Sequence, residues 1–251
     1  MNTFDLTGKV AIVTGSNAGL GAGMAVALAT AGCDIVGVSR ADAGATPTHV
    51  KAAGCRFADV RADLASIAPV EDIVRAAVEA FGRVDVLVNN AGLIRREDAL
   101  DFSEADWDAV MDVNLKSVFF LSQAVARQFV QQQSRGKIIN VASMLSFQGG
   151  IRVASYTASK SGVLGLTRLL ANEWAAHGIN VNAIAPGYMA TANTAALRGD
   201  AQRNEEILSR VPAGRWGTPE DLAGPVVFLA SSASDYVHGH TLAVDGGWLA
   251  R

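Results

Sequence analysis

The sequence predicts one α/β domain over residues 1–251, built as a doubly wound sheet of about seven parallel strands with helices on both faces. Three observations predict it. Half of the residues are hydrophobic, which is enough for a large core. Short β-branched apolar runs without polar alternation are typical of strands that are covered on both faces. Longer helical stretches alternate with these runs, and a βαβα order requires right-handed crossovers in a parallel sheet.

The elements follow each other along the whole chain. Strands are predicted at 10–13, 34–38, 55–60, 85–88, 137–141, 180–185 and 241–244. Helices are predicted at 20–31, 66–81, 104–133, 156–177 and 219–231. The segment 187–217 shows no clear strand or strong helix, so we expect it to form a loop over the substrate.

Charge and cysteine content exclude several classes of protein. The net charge is −3 and no basic patch is visible, so nucleic acid is not an expected partner. Cys33 and Cys55 cannot form a disulfide framework, and no Cys/His cluster has zinc-ligand spacing, so no metal is expected. The uncharged stretch 10–33 contains too many glycines and polar residues for a membrane span. Because the first residues do not resemble a signal peptide either, we expect a cytoplasmic protein.

A glycine-rich turn follows the first predicted strand. Gly15, Gly19 and Gly21 have the spacing Gly-x3-Gly-x-Gly, and Asn17 and Leu20 lie between them. Such a turn lets backbone amides and a helix N-terminus approach a pyrophosphate, so it indicates a dinucleotide. The alternative is a tight connection between a strand and a helix, although its position in a βαβ unit favours the cofactor.

Residues at the end of the second strand are expected to contact the adenosine ribose of the cofactor. An acidic residue there would bind the ribose hydroxyls, but this chain has Ser39 and Arg40. A hydroxyl beside a guanidinium suits the 2′-phosphate of NADP. The alternative is that Arg40 is a solvated residue or stacks on adenine.

Tyr156 and Lys160 carry the clearest chemistry. They are four residues apart on a predicted helix and therefore share a face. Reduction of a ketone requires a proton donor for the developing alkoxide, and a nearby ammonium lowers the pKa of a tyrosine toward neutrality. An ordinary surface pair is the alternative. Ser143 follows the fifth strand and Asn114 lies inside the helix 104–133, so both join the set of candidates.

Together with Asn90-Ala91-Gly92, these residues resemble the short-chain dehydrogenase/reductase family over the whole chain. The resemblance implies that Ser143 binds the substrate oxygen, that Asn114 positions a proton-relaying water and that Lys160 also holds the nicotinamide ribose. It further implies cofactor contacts at Asp63, Leu64, Asn90, Ala91, Gly92, Pro186, Gly187 and Thr191, in addition to the glycine turn, Tyr156 and Lys160. Asp63 taken alone is better explained as a helix N-cap than as a cofactor contact.

Within the family, the segments 93–99, 144–152, 185–191, 212–217 and 244–251 resemble a bacterial branch of sugar-acid dehydrogenases. That branch acts on 2-dehydro-3-deoxy-D-gluconate or 2-deoxy-D-gluconate in pectin and uronate breakdown. Its members mostly use NAD, whereas Ser39 and Arg40 favour NADP. The cofactor is therefore expected to be NAD(P), with NAD slightly favoured by the resemblance to the branch. Several of these segments follow strand ends, where open α/β sheets bind their ligands.

The side chains of these segments are compatible with a sugar acid. A guanidinium is the best partner for a carboxylate, and we expect at least one of four arginines to provide it. They are Arg95, Arg96, Arg152 and Arg215. Any single one could instead form a salt bridge. Stacking or polar contacts with the polyol are expected from Phe147, Gln148, Tyr188, Trp216 and Trp248.

Apolar stripes along the helices 104–133 and 156–177 include Val118, Leu121, Val163 and Leu170. The family resemblance implies that part of each stripe packs between subunits, usually in tetramers; core packing alone is the alternative. Other functions are compatible with the same fold. A 3-oxoacyl-carrier reductase has the same catalytic residues, and another sugar or polyol dehydrogenase of the family is also an alternative. A nucleotide sensor, by contrast, would have no use for the proton relay.

Overall fold

The computed structural model describes residues 2–251, and its centre is one sheet of seven parallel strands in the order β3-β2-β1-β4-β5-β6-β7. The strands are β1 Val10–Thr14, β2 Asp34–Ser39, β3 Phe57–Arg61, β4 Val86–Asn89, β5 Gly136–Val141, β6 Ile179–Pro186 and β7 Thr241–Val244. The doubly wound parallel sheet that the sequence predicts is therefore confirmed.

The helices are α1 Gly19–Thr30, α2 Thr46–Ala52, α3 Val70–Phe81, α4 Glu104–Met111, α5 Ser117–Gln131, α6 Ala154–Trp174, α7 Ala195–Gly199, α8 Ala201–Arg210 and α9 Ala223–Ala230. They cover both faces of the sheet. In β1, Val10 and Ile12 face the core beneath α3, α5 and α6, whereas Ala11 and Val13 face α1 and α9. This double burial explains why the strands are apolar without alternation.

Three helical regions differ from the sequence-based expectation. The helix α2 was not predicted, because Thr46 and Val50 are its only buried residues and give no periodic signal. The predicted helix 104–133 is interrupted by a π-helical turn at Asp112–Lys116. The segment 187–217 was expected to lack a strong helix, but it contains α7 and α8; α8 buries only Ile207, so its apolar pattern is weak.

The strand order reverses between β1 and β4, and the crevice at the carboxyl ends of these strands is where open sheets bind ligands. The glycine turn and Asn90 lie at this reversal point, after β1 and β4. Ser143 follows β5, and Thr191 follows β6. The topology therefore gathers the predicted site residues at one edge. Among residues 2–251, no helix has the length and apolar character required to cross a bilayer.

Candidate active site

The turn after β1 is shaped by its glycines. Gly15 has a φ of +66° and lies against Asn90, where an added Cβ would be 2.8 Å from Asn90 Nδ2. A Cβ on Gly21 would collide with the carbonyl oxygen of Gly15. Gly19 has a φ of +56°, but its nearest neighbour would be Thr191, at 3.8 Å. Gly15 and Gly21 thus allow the turn to close, whereas Gly19 leaves a groove open toward Thr191.

Thr14 joins this turn to the loop after β4. Its Oγ1 accepts hydrogen bonds from the backbone nitrogens of Asn90 (3.0 Å) and Ala91 (2.9 Å). Asn90 Nδ2 donates to the carbonyl oxygen of Thr14 at 2.8 Å. Thr14 was not among the predicted site residues, although its position as the last residue of a strand before a glycine could have indicated it.

A dinucleotide fits this arrangement. The open groove at Gly19 provides room for a pyrophosphate beside the N-terminus of α1. The preceding Ala18 supplies no side-chain cap, so the first amides of α1 are free to bind an anion. The buried Oγ of Ser16, inside the same turn, has no hydrogen-bond partner in the part of the chain that the structure describes. Asn17 and Leu20 are partly buried in this turn.

The adenosine end of the crevice lies at the tip of β2. Ser39 is buried and donates to the carbonyl oxygen of Ala41 at 2.8 Å, whereas Arg40 is exposed. No Asp or Glu among residues 2–251 forms an ion pair with Arg40. Asp63 accepts a hydrogen bond from the nitrogen of Ala65 at 3.0 Å, and Leu64 packs in the core. The turn-forming role of Asp63 is therefore visible, and its contact with adenine stays a prediction.

Asn114 lies in the π-helical turn and is fully buried. Its Oδ1 accepts from the nitrogen of Leu93 and its Nδ2 donates to the oxygen of the same residue, both at 2.9 Å. Gly92 passes directly over the amide, since a Cβ there would be 3.2 Å from Asn114 Oδ1. Asn114 Nδ2 also approaches Ser159 Oγ at 3.3 Å. The asparagine therefore joins the loop after β4 to the helix α6.

Ser143, Tyr156 and Lys160 meet at the end of β5. Lys160 is buried and its Nζ donates to the carbonyl oxygen of Val141 at 2.6 Å. The Nζ lies 5.7 Å from the centre of the Tyr156 ring. Ser143 Oγ accepts from the nitrogen of Leu145 at 3.2 Å, which leaves its own hydrogen free to donate. These three predicted residues are therefore brought together.

Burial dominates the titration of this group. It lowers the pKa of Lys160 to about 8, so the ammonium is still mostly protonated at neutral pH. Burial also raises the pKa of Tyr156, and this effect is opposed by the Ser143 hydroxyl and by the positive charge of Arg96. Tyr156 therefore holds its proton at neutral pH in the absence of other charges and is poised as a donor.

Three of the four candidate arginines already have carboxylate partners. Arg95 Nε donates to Asp106 Oδ1 at 2.9 Å. Arg215 forms two hydrogen bonds of 2.7 Å with Asp221 and holds the pKa of that carboxyl well below its usual range. Arg152 lies 3.5 Å and 3.6 Å from carboxylates of the loop after β4, those of Asp98 and Glu97.

Arg96 differs from these three arginines. Its side chain is exposed, and no acidic residue within 2–251 forms an ion pair with it. Its charge nevertheless reaches the Tyr156 hydroxyl, where it favours the phenolate. Arg96 is therefore the one of the four arginines whose charge is available to a ligand and also lowers the pKa of Tyr156.

The predicted aromatic contacts form a cluster of their own. The Tyr188 ring packs edge-on against Trp216 at 5.5 Å and against Trp248 at 4.8 Å between centroids. Gln148 Oε1 accepts from Trp248 Nε1 at 3.1 Å. Phe147, which directly precedes Gln148 in the sequence, is about half exposed. The structure thus shows a packing role for these aromatic residues, and their contact with a substrate stays a prediction.

The chain after β6 closes the crevice on its other side. β6 ends at Pro186, and a Cβ on Gly187 would lie 2.5 Å from the Cα of Asp245, so the two loops touch. Thr191 then faces Gly19 across the groove. Gly19 and Thr191 therefore lie on opposite sides of one groove, and the binding of a cofactor by the other predicted residues stays a prediction. In the region described, no group of three His, Cys, Asp or Glu side chains could hold a metal ion.

Comparison with known proteins identifies the family. A family model described as enoyl-(acyl carrier protein) reductase matches residues 15–249. The chain belongs to the short-chain dehydrogenase/reductase family. It is an NAD(P)-dependent oxidoreductase that acts on a CH–OH group. The resemblance to this family, which the sequence indicated at successive motifs from the glycine turn to Thr191, is confirmed.

Similar dehydrogenases cover the entire chain. The 2-dehydro-3-deoxy-D-gluconate 5-dehydrogenase of Dickeya dadantii is 67% identical over 100% of this chain and 99% of its own. The Bacillus subtilis enzyme of the same name is 53% identical, with 100% and 98% coverage. Among solved structures, gluconate 5-dehydrogenase from Burkholderia cenocepacia, in complex with NADP and tartrate, has a TM-score of 0.94 and 40% identity. That match covers 100% of this chain and 98% of the other.

Proposed function

We propose that this dehydrogenase interconverts a secondary hydroxyl and a ketone on a small sugar acid. We assign 2-dehydro-3-deoxy-D-gluconate, or its analogue 2-deoxy-D-gluconate, as the substrate. The structural feature that supports the proposal is Arg96: within residues 2–251 its exposed guanidinium has no carboxylate partner, and its positive charge lowers the pKa of Tyr156, whose hydroxyl would exchange a proton with the substrate. The full-length similarity to dehydrogenases of that name supports the assignment.

The chain's own residues divide the chemistry. Nicotinamide, when bound, supplies or accepts the hydride. Tyr156 donates its phenolic proton to the substrate oxygen during reduction and receives it during oxidation. The Ser143 hydroxyl, whose oxygen is held by Leu145, donates a hydrogen bond to the same oxygen. Lys160, charged below its pKa of about 8, stabilises the phenolate and, by the family resemblance, holds the ribose.

Arg96 would bind the carboxylate of the sugar acid. A guanidinium binds a carboxylate through two parallel hydrogen bonds, which fixes its orientation as well as its charge. The other three arginines would first have to leave their partners Asp106, Asp221 and the Glu97–Asp98 pair. Binding of an anion would also reduce the effect of Arg96 on Tyr156 and thereby help the tyrosine to keep its proton until reduction occurs.

We infer that the enzyme accepts NADP through Arg40 and can also use NAD. Arg40 is exposed at the tip of β2 next to Ser39, and there is no acidic side chain at that position to repel a 2′-phosphate. A similar Agrobacterium tumefaciens protein, with a TM-score of 0.95 and 56% identity over 100% of both chains, was crystallised with bound NADP.

We further propose that residues 1–251 act as one domain, with 187–217 covering the substrate, in a cytoplasmic homotetramer. An apolar groove between α5 and α6 supports assembly. It includes the half-exposed Val130 and Leu169 beside Phe119 and Trp174. Apolar side chains in a continuous groove are typical of subunit interfaces. The free thiols Cys33 and Cys55 are compatible with a reducing compartment.

A second candidate is reduction of a 3-oxoacyl group on an acidic carrier protein. A Synechocystis 3-oxoacyl-[acyl-carrier-protein] reductase is 40% identical over 96% of this chain. Against it, the sequence carries no basic patch for such a carrier and has a net charge of −3.

The two functions are separated by initial rates at the nicotinamide absorbance band. We expect turnover with 2-dehydro-3-deoxy-D-gluconate and 2-deoxy-D-gluconate, measured with NAD and NADP in parallel, and only trace rates with acetoacetyl carrier protein. Turnover of the carrier substrate alone would contradict the proposal and leave the second candidate.

A further inference from the structure

A short 3₁₀ turn, Met144–Ser146, connects the end of β5 with the loop before α6. The last interstrand hydrogen bond at this end runs from the nitrogen of Ala142 to the oxygen of Ile184. The next nitrogen, that of Ser143, is beyond the sheet and needs another acceptor. It donates to Ser146 Oγ at 3.3 Å.

Ser146 uses the hydrogen of the same hydroxyl in the opposite direction. Its Oγ donates to the carbonyl oxygen of Lys160, in the first half of α6, at 2.7 Å. One hydroxyl therefore joins the backbone of Ser143 to the backbone of Lys160, which are otherwise on separate elements. Two further hydrogen bonds join the same segments: Lys160 Nζ donates to the oxygen of Val141 at 2.6 Å, and Ser161 Oγ donates to the oxygen of Leu145 at 3.5 Å.

We propose that Ser146 is a positioning residue that sets the distance between the Ser143 hydroxyl and the Tyr156–Lys160 pair. It does not touch the substrate; it acts by holding the strand end and the helix in register. The geometry explains why a hydroxyl is required. A side chain that only donates cannot accept from Ser143, and one that only accepts cannot donate to Lys160.

The expected consequence lies in the reaction, not in cofactor binding. Ser146 forms its hydrogen bonds with Ser143 and Lys160, and none of them involves the glycine turn. Without its hydroxyl, Ser143 and Tyr156 would sample a wider range of separations, and misplacement by a fraction of an ångström lowers catalytic rates. The Ser143 hydroxyl also lowers the pKa of Tyr156, so its displacement raises that pKa.

The experiment compares Ser146→Ala, Ser146→Thr and a matched control, Ser161→Ala. Ser161 is exposed on α6, and its Oγ only approaches the oxygen of Leu145 at 3.5 Å. For sugar-acid turnover, we expect Ser146→Ala to lower kcat by about tenfold with little change in the KM for the cofactor. Ser146→Thr, which keeps the hydroxyl, and Ser161→Ala should stay within about twofold of the parent, since neither removes the bridge.

A second readout does not depend on the substrate, because the kinetic comparison rests on the proposed function. The chain has three tyrosines, so carbon-13 labelling at Cζ resolves Tyr156, with Tyr156→Phe as the assignment control. In Ser146→Ala, we expect its resonance to shift and its titration midpoint to move upward, whereas Ser161→Ala leaves both unchanged. If the parent turns over no sugar acid, the proposed function fails, and this measurement still decides the role of Ser146.

The proposal is overturned if the Tyr156 resonance and kcat are the same in Ser146→Ala as in the parent. It is also overturned if kcat falls only in parallel with cofactor affinity and melting temperature while the Tyr156 signal is unchanged. That pattern would show a purely structural role.

Discussion

The catalytic centre of this enzyme differs from its arginine rim, formed by Arg95, Arg152 and Arg215, in how the polar groups are held. In the centre, Asn114 and Lys160 are at most 4% exposed, and each binds backbone atoms of a neighbouring element. On the rim, the side chains of Arg95, Arg152 and Arg215 are about half exposed and pair with surface carboxylates. The buried contacts are fixed by the fold, whereas the rim contacts can be exchanged for those of a ligand.

The two regions also differ in what a lost contact costs. A buried amide without a partner is destabilising by about 1–3 kcal/mol, and a buried ammonium without a partner is destabilising by more. An exposed ion pair is screened by water and contributes little. We therefore expect substitutions in the centre to affect both turnover and folding, and substitutions on the rim to affect mainly the binding of charged ligands.

The largest effect is expected for Tyr156→Phe, which removes the proton donor without removing the ring. Turnover should fall by about 10²–10⁴-fold, because general acid catalysis by one residue contributes that much. Cofactor affinity, followed by fluorescence titration, should be retained. Tyr236→Phe is the matched control, since Tyr236 is fully exposed. A Tyr156→Phe enzyme with more than a tenth of the parental kcat would contradict the assignment.

Asn114→Ala tests whether the π-helical turn holds the centre together. The variant loses both hydrogen bonds to the backbone of Leu93 and leaves those groups without their partner. We expect the free energy of unfolding to fall by about 1–3 kcal/mol, which lowers the melting temperature. We also expect kcat to fall by roughly tenfold or more. Ser117→Ala, in the next turn, loses only a local bond to Val113 and should be close to the parent. Equal behaviour of the two variants would disprove this role.

Much of the centre could be predicted from the sequence because local rules determine it. The strand positions follow from apolar runs, and the spacing of Tyr156 and Lys160 on one helix fixes their common face. The closing role of Gly15 and the open groove at Gly19 follow from a turn that only glycines allow. Such features depend on residues that are close in sequence.

The rim could not be predicted in the same way, because its pairings join residues that are distant in sequence. Nothing in the sequence shows that Asp106 forms an ion pair with Arg95 or that Asp221 forms one with Arg215. The π-helical turn at Asp112–Lys116 continues the helical pattern on both sides and has no sequence signal. The bridge made by Ser146 likewise appears only when β5 and α6 are placed side by side.

Arg40→Gln tests whether the adenosine end of the crevice binds the 2′-phosphate of NADP, and we expect a moderate effect. The KM for NADP should rise by about tenfold, because a charge-assisted contact with the 2′-phosphate is lost. The KM for NAD should be unchanged. Arg61→Gln, an exposed arginine near Asp42, is the control. If the KM values for NAD and NADP change equally, Arg40 does not bind the 2′-phosphate.

The central claim is that Arg96 binds the carboxylate of a sugar acid beside the proton donor Tyr156. The most direct test measures kcat and KM for 2-deoxy-D-gluconate and for its neutral carboxamide, with Arg96→Gln and the paired Arg95→Gln as control. We predict a KM for the acid that rises about tenfold or more in Arg96→Gln only, with the carboxamide unaffected.

The pH profile of the same variants gives the sign of the charge effect. Removal of the Arg96 charge raises the pKa of Tyr156, so with the carboxamide the rising limb of the oxidation rate should move to higher pH. An equal change in KM for acid and carboxamide, or the same loss in Arg95→Gln, would contradict the account.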